Sequence, residues 1–310
     1  MSAPTFAAPR RLAWRQAAYP YALLMLANLF WASNWIVGRA VHQTFPPVAL
    51  SFWRWSVATA IFVPFALPRL KGKWPIIWRD RWLLLVLGVT GIATYQSIIY
   101  AGLNYTTAVN SSLLNAAGPL VIVLVAWLID RLVPTPRQFA GMAISLLGVV
   151  LIVARGDPAT LRGFRFNPGD LVIFAAMPLW SIYTVLLRRR PRELDDLGFM
   201  LVVMVIGLAA LMPAYAYETV YVRMPEWNWI LVAAILYIAV TSSILAYILW
   251  NRGVDLVGPN RAAFTQPFQP VFTALLAVIL LGEQFHLYHA VGFTVIFAGW
   301  YLTSGIRRRV

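Results

Sequence analysis

The chain contains no cysteine. That excludes a disulfide framework, a thiolate metal site and a cysteine nucleophile. Charge is also scarce: 12% of the 310 residues are charged, against about a quarter in a soluble protein. Only 11 residues are acidic, and histidine is limited to His42, His286 and His289. There is no HExxH motif and no GxxxxGK[ST] loop, so neither zinc-protease chemistry nor phosphate-loop ATP hydrolysis is encoded. No catalytic set, metal site or cofactor site emerges, and the chain reads as something other than an enzyme.

What the chain has instead is apolar sequence. Hydrophobic residues make up 61% of it, the composition of a polytopic membrane protein. The net charge of +14 resembles a nucleic-acid signal until the charges are placed. Nearly all lie between apolar runs, where they set topology, so the expected partners are the bilayer and a small solute, with no nucleic acid. Arg10, Arg11 and Arg15 precede an apolar run too long for a signal peptide, and we read that run as an uncleaved first span.

Ten segments are long and apolar enough to be candidate spans: 19–41, 46–67, 82–103, 106–129, 136–154, 169–188, 196–217, 227–250, 259–281 and 286–306. With the N-terminus placed in the cytoplasm, 19 of the 25 Lys and Arg fall on the cytoplasmic side and five on the other. That asymmetry predicts an all-α protein with both termini cytoplasmic. Trp74, Trp78 and Trp82, spaced four apart among basic residues, read as an interfacial stripe, and Trp53, Trp227, Trp229 and Trp250 as belt anchors.

Sliding the chain by 151 residues brings Gly102 onto Gly253, Pro119 onto Pro270, Gly141 onto Gly292 and Gly148 onto Gly299, with Asn115 on Gln266. Nearer the start an offset of 149 brings Trp31 onto Trp180 and Arg39 onto Arg188. Two repeats follow, 1–154 and 155–310, each with five spans. Because five is odd, the second enters the membrane inverted. Inverted repeats are a transporter architecture, with the solute site near the midplane between them.

The paired segments "GPLVIVLVAWLI" and "QPVFTALLAVILLGE", the latter holding Glu283, resemble the drug/metabolite transporter superfamily, EamA-type branch. The first-half counterpart ends in "AWLIDR", a weaker acidic mark. Within that family the chain is most similar to YddG-type aromatic amino acid exporters. The resemblance implies ten transmembrane helices, an inner-membrane location and export of small metabolites by alternating access. A multidrug or other metabolite permease of the same fold stands as one alternative, and an integral membrane enzyme acting on lipid as another.

Polar residues recur on single helical faces. Asn28, Trp31, Asn34 and Trp35 do so in span one; Tyr95, Gln96 and Tyr100 in span three; Ser111, Ser112 and Asn115 in span four. Trp180, Tyr183 and Thr184 follow in span six, Tyr237, Thr241, Ser243 and Tyr247 in span eight, and Thr265, Gln266 and Gln269 in span nine. An unpaired amide in hydrocarbon costs several kcal/mol, so these faces meet one another or water. They predict a pathway through spans one, three, four, six, eight and nine, lined by Asn28, Trp31, Asn34, Tyr95, Gln96, Tyr100, Ser112, Asn115, Trp180, Tyr183, Thr241, Tyr247, Gln266 and Gln269. Amides, hydroxyls and rings suit neutral zwitterions with apolar or aromatic side chains.

Pro119 and Pro270, at matching depth in spans four and nine, are candidate hinges. Gly141, Ser145 and Gly148, matched by Gly292 and Gly299, predict close helix packing. Arg54 lies inside span two at a cost of about 2.5–3.5 kcal/mol. It is either an anchor snorkelling to an interface or a partner for a substrate carboxylate or a helix C-terminus. No carboxylate or histidine sits at mid-depth; Asp130, Asp170, Glu218 and Glu283 all fall near span ends, which predicts uncoupled transport.

Overall fold

The computed structural model describes residues 10–41, 45–102, 105, 118–154, 157, 159, 162, 168–281 and 286–304, and no strand occurs among them. In chain order the α-helices are α1 (Arg10–Val41), α2 (Pro47–Ala66), α3 (Trp74–Arg79), α4 (Arg81–Leu87), α5 (Tyr95–Gly102), α6 (Gly118–Asp130), α7 (Pro136–Val153), α8 (Pro168–Leu186), α9 (Asp196–Tyr217), α10 (Trp229–Ile238), α11 (Ala246–Val257), α12 (Pro259–Ala263), α13 (Phe268–Leu281) and α14 (Leu287–Ser304). Among the described residues six helices are long and apolar enough to cross a membrane: Ala18–Gly38, Pro47–Leu70, Arg81–Gly102, Leu171–Arg189, Asp196–Val222 and Trp229–Val257. Shorter apolar helices span Gly118–Asp130, Pro136–Ile152 and Leu287–Leu302.

Three of the long helices contain a widened turn; in Asp196–Val222 it is the last turn, Glu218–Val222, and in the other two it is internal. Gly88–Thr94 joins α4 to α5, and Ala239–Leu245 joins α10 to α11, both in π geometry. A π turn adds a residue to the helix and shifts the side chains beyond it around the axis. The 151-residue offset carries the first turn onto the second, end for end.

The expected span over 259–281 is not one continuous helix. It breaks between α12 and α13, and the Thr265, Gln266, Phe268 and Gln269 N–H groups each bond the carbonyl three residues back. Pro267 and Pro270 have no N–H to donate, so the chain closes tight turns here instead of a bent α-helix. Pro270 is accordingly in the first turn of α13, where proline is tolerated, and not in a helix interior; the residues before Gly118, on which the same question turns for Pro119, lie outside the described residues. Gly258, at φ +87°, makes the preceding corner between α11 and α12.

The helices pair in a pattern unchanged by exchanging α1, α2, α5, α6 and α7 for α8, α9, α11, α13 and α14 in that order. α1 packs on α11 and α13, as α8 packs on α5 and α6; α2 packs on α9, and α7 on α14. The last pair is the tightest. A Cβ at Gly148 would stand 2.8 Å from the Gly292 carbonyl, and one at Gly299 2.4 Å from the Gly141 carbonyl. The Ser145 hydroxyl donates to the Ile296 carbonyl over 3.2 Å. In lipid, where apolar burial adds little, such backbone approach is what joins helices.

Candidate functional site

A cavity of about 30 Å³ lies where α1, α5, α8 and α11 converge on the break before α13. Its walls are Trp31, Asn34 and Trp35 from α1, Tyr95 and Gln96 from α5, Gly118, Met177, Trp180, Tyr247, and the amides Gln266 and Gln269. It holds about two waters. The Gln266 carbonyl oxygen lies 3.2 Å from the position of a Cβ on Gly118, so a side chain there would crowd the amide.

Rings dominate the walls. Trp31 and Trp180 meet edge to face at 5.1 Å. Trp180 is stacked between Tyr95, at 5.2 Å, and Tyr183, at 5.3 Å. Tyr247 stands edge-on to Trp31 at 5.8 Å. These are favoured quadrupole geometries.

Both internal π turns present a carbonyl to a cavity side chain. The Trp31 Nε1 donates to the Ser242 carbonyl over 3.1 Å, and the Tyr247 hydroxyl to the Gly91 carbonyl over 2.5 Å. Gly91 and Ser242 occupy corresponding places in the two turns. The widened turns therefore fix the rotamers of two cavity rings, which is how a local backbone irregularity reaches the site.

Three predicted residues stand one layer back. The Asn28 amide donates to the Leu24 carbonyl, 2.8 Å, and the Thr265 hydroxyl, 3.1 Å, tying α1 to the break before α13. Tyr183 is fully buried and donates to Asn251 Oδ1 over 2.8 Å. Tyr100 donates to Asn34 Oδ1 over 3.0 Å. Thr241 does not reach the cavity; its hydroxyl back-bonds the Tyr237 carbonyl on the same helix. Ser112 and Asn115 lie outside the described residues.

Four residues depart from the sequence reading. Trp250 is no belt anchor: it is fully buried and packs 5.3 Å from Trp31 and 5.7 Å from Trp180. Its place three residues after Tyr247, on the same helical face, was the available signal. Arg54 does not snorkel. It is 1% exposed, with its guanidinium 5.1 Å from the Trp55 ring and 3.4 Å and 3.3 Å from Asn34 Oδ1 and the Tyr100 hydroxyl. Glu218 is buried at the start of α2, accepting from the Val48 and Ala49 N–H groups over 3.1 Å and 2.6 Å. A carboxylate at a helix N-terminus satisfies donors that have no intrahelical partner. Asn251, missed altogether, is the acceptor for Tyr183.

Ion pairs gather at the ends of α6, α8, α9 and α11. Arg189 meets Asp130, and Arg190, itself buried, meets both Asp255 and Asp196, each at 2.5 Å. Arg69 meets Asp195 at 2.6 Å. Burial alone would raise the Asp195 carboxyl, but the Gly198 N–H and the Arg69 guanidinium outweigh it and hold it below the usual carboxylate range. Trp74, Trp78 and Trp82 are exposed, with Arg81 lying 5.6 Å from both Trp78 and Trp82. Among the described residues no cluster of three metal-ligating side chains occurs.

Comparison with known proteins identifies the architecture. The chain is similar to an uncharacterized transporter, YyaM, of Bacillus subtilis, 25% identical over 93% of this chain and 94% of the relative. It is also similar to an uncharacterized transporter of Archaeoglobus fulgidus, 28% identical over 91% and 96%. A solved crystal structure shares the fold with a TM-score of 0.75 at 20% identity, covering 94% of this chain and 98% of that one. The model of the EamA-like transporter family matches twice, over residues 18–154 and 167–305. With its all-helical architecture and apolar spans, the chain belongs to the EamA-like transporter family, and is a multi-pass membrane transporter.

Proposed function

We propose that this protein exports aromatic and other apolar amino acids across the inner membrane by alternating access, as the YddG-type exporters it resembles do. The observation that carries the reading is the cavity itself: Trp31 against Trp180 at 5.1 Å, with Tyr95, Tyr247 and three glutamines around them. Rings pack an apolar or aromatic side chain, and amides solvate the polar end of a zwitterion.

In this reading the chain has ten spans in two inverted halves, with both termini cytoplasmic. Four observations support it: the two family matches in tandem, the two internal π turns at one offset, the exchange-symmetric helix pairing, and the meeting of Trp31 with its counterpart Trp180. A solute of amino-acid size needs a pocket of about 300 Å³ or more, ten times what the cavity offers. Transport therefore requires the halves to separate. Pro270, in the first turn after the break in its helix, and Pro119, at the matching position in sequence, are the proposed hinges.

Efflux of labelled phenylalanine or tryptophan from proteoliposomes containing only this protein tests the reading. Efflux above that of protein-free liposomes is expected. Efflux of other metabolites but no amino acid would make it a permease of another specificity. Chemical conversion of lipid without efflux would make it an enzyme.

A further inference from the structure

Among the described residues Arg54 is a buried cation without a counter-anion. Its side chain lies inside an apolar helix, 1% exposed, and Nε has no hydrogen-bond partner. Its polar contacts are two neutral oxygens, Asn34 Oδ1 and the Tyr100 hydroxyl. Among the described residues no carboxylate comes within ion-pair distance of it; the carboxylates that pair do so with other arginines. An arginine side chain is cationic, and among the described residues only the Trp55 ring and neutral dipoles offset that charge at this depth.

The neighbours turn that charge toward the cavity. A guanidinium offers donors only, and the Tyr100 hydroxyl also donates to Asn34 Oδ1. Both partners therefore claim the oxygen of the Asn34 amide. Its Nδ2 is left without a partner among the described residues, on a side chain that forms the cavity wall. Arg54 and Tyr100 act as positioning residues: they fix the amide flip, and the guanidinium biases the potential at the Asn34 N–H.

We infer that the Asn34 end of the cavity is a carboxylate subsite, in which Asn34 Nδ2 donates to the solute and Arg54 supplies the compensating charge from behind. Trp180 and Tyr95, stacked on each other in the same walls, take the ring. Among the described wall residues there is no acidic group to hold an ammonium, so the carboxylate is required and the amino group is dispensable. This rests on the transport reading above and narrows it from neutral zwitterions to carboxylate-bearing solutes.

Direct binding to the purified, detergent-solubilised protein separates the two. Four probes are titrated by calorimetry: phenylalanine, 3-phenylpropionate, phenylalaninamide and phenethylamine. The expected result is phenylpropionate within about threefold of phenylalanine, and the amide and amine at least tenfold weaker. Arg54→Met is expected to cut that tenfold acid-over-amine preference to about unity, and Arg54→Lys to keep most of it. Should Arg54→Met fail to fold, Asn34→Asp pairs the guanidinium internally and is expected to remove the same preference. Amine binding equal to phenylalanine in the wild type overturns the inference, as does an unchanged preference in either neutralising variant, or no binding of any probe. Selective acid binding without efflux from proteoliposomes would uphold the subsite and sink the transport reading.

Discussion

Tyr183 donates its hydroxyl to Asn251 Oδ1 over 2.8 Å, and the same bond exists in the first half with the residue types exchanged, Tyr100 to Asn34 over 3.0 Å. The offsets that align the halves carry Asn34 onto Tyr183 and Tyr100 onto Asn251. One tyrosine–asparagine link thus joins α1 to α5 and another joins α8 to α11, and of the two the first also contacts an arginine.

That difference predicts unequal variants. Tyr183→Phe leaves a buried acceptor unsatisfied and is expected to cost about 1–3 kcal/mol of stability, read as a lower unfolding midpoint in detergent, with the half-saturating solute concentration unchanged. Tyr100→Phe is expected to cost similar stability and also weaken solute affinity, because it loosens the Asn34 amide. Equal affinities in the two variants would refute the distinction.

The ring cluster predicts a graded loss. Trp31→Ala and Trp180→Ala each remove an aromatic wall and its edge-to-face partner, and are expected to lower efflux at least tenfold. Leu124→Ala, at a side chain 51% exposed, is expected to leave efflux within about twofold. The three are compared at equal protein incorporation.

The α7–α14 contact predicts strict size limits. Gly148→Leu forces atoms into the Gly292 carbonyl and Ile296, and is expected to destabilise by about 1–3 kcal/mol or more. Gly72, at φ +71° with nothing within 4 Å of where a Cβ would stand, serves as the contrast: Gly72→Asn is expected to be near neutral, since asparagine tolerates that conformation. Thermal unfolding monitored by tryptophan fluorescence checks both.

Asp195 predicts a pH dependence. Its carboxyl is held low in the folded state, so its contribution is fully present above the ordinary value of about 3.9 and lost as pH falls through the lower folded value. Both partners are substantially exposed, so the size is that of a surface pair, below about 1 kcal/mol. Asp195→Asn is expected to lower the unfolding midpoint at pH 6 and to converge with wild type as the pH falls below about 4. A constant gap down to pH 3 would argue for a purely neutral capping role toward Gly198.

Energy coupling turns on Glu218. It is the buried carboxylate in a described span that bonds backbone N–H groups and no arginine. Because those N–H groups hold it in place as a helix cap, accumulation in proteoliposomes is expected to be indifferent to an imposed pH gradient. Gradient-driven accumulation that disappears in Glu218→Gln would overturn uncoupled transport and make this residue the proton carrier; one that disappears in Glu283→Gln would assign the role there.

Much of this was legible in sequence because membrane constraints are blunt. Apolar length placed the helices, and helical spacing put Trp31, Asn34, Tyr95, Gln96, Trp180 and Tyr247 on one wall. The rest was hidden for identifiable reasons. A π turn has no pattern that a helical reading would pick out: Gly88–Thr94 and Ala239–Leu245 share only a Val-Thr pair, Val89-Thr90 with Val240-Thr241. The break before α13 was announced by Pro267 and Pro270, but proline alone does not distinguish a kink from an interruption. Trp250 near a span end and Trp250 in the core look alike until rotation about the helix is known, and the π turn just before it sets that rotation. Glu218 finds its N–H donors 170 residues away in sequence, which no local pattern reports.

The smallness of the cavity has a consequence for water. Protons cross apolar surroundings along files of hydrogen-bonded water, and a cavity of about 30 Å³ beside the paired indoles of Trp31 and Trp180 holds only about two molecules of such a file. At this depth the rings limit hydration as well as forming the walls.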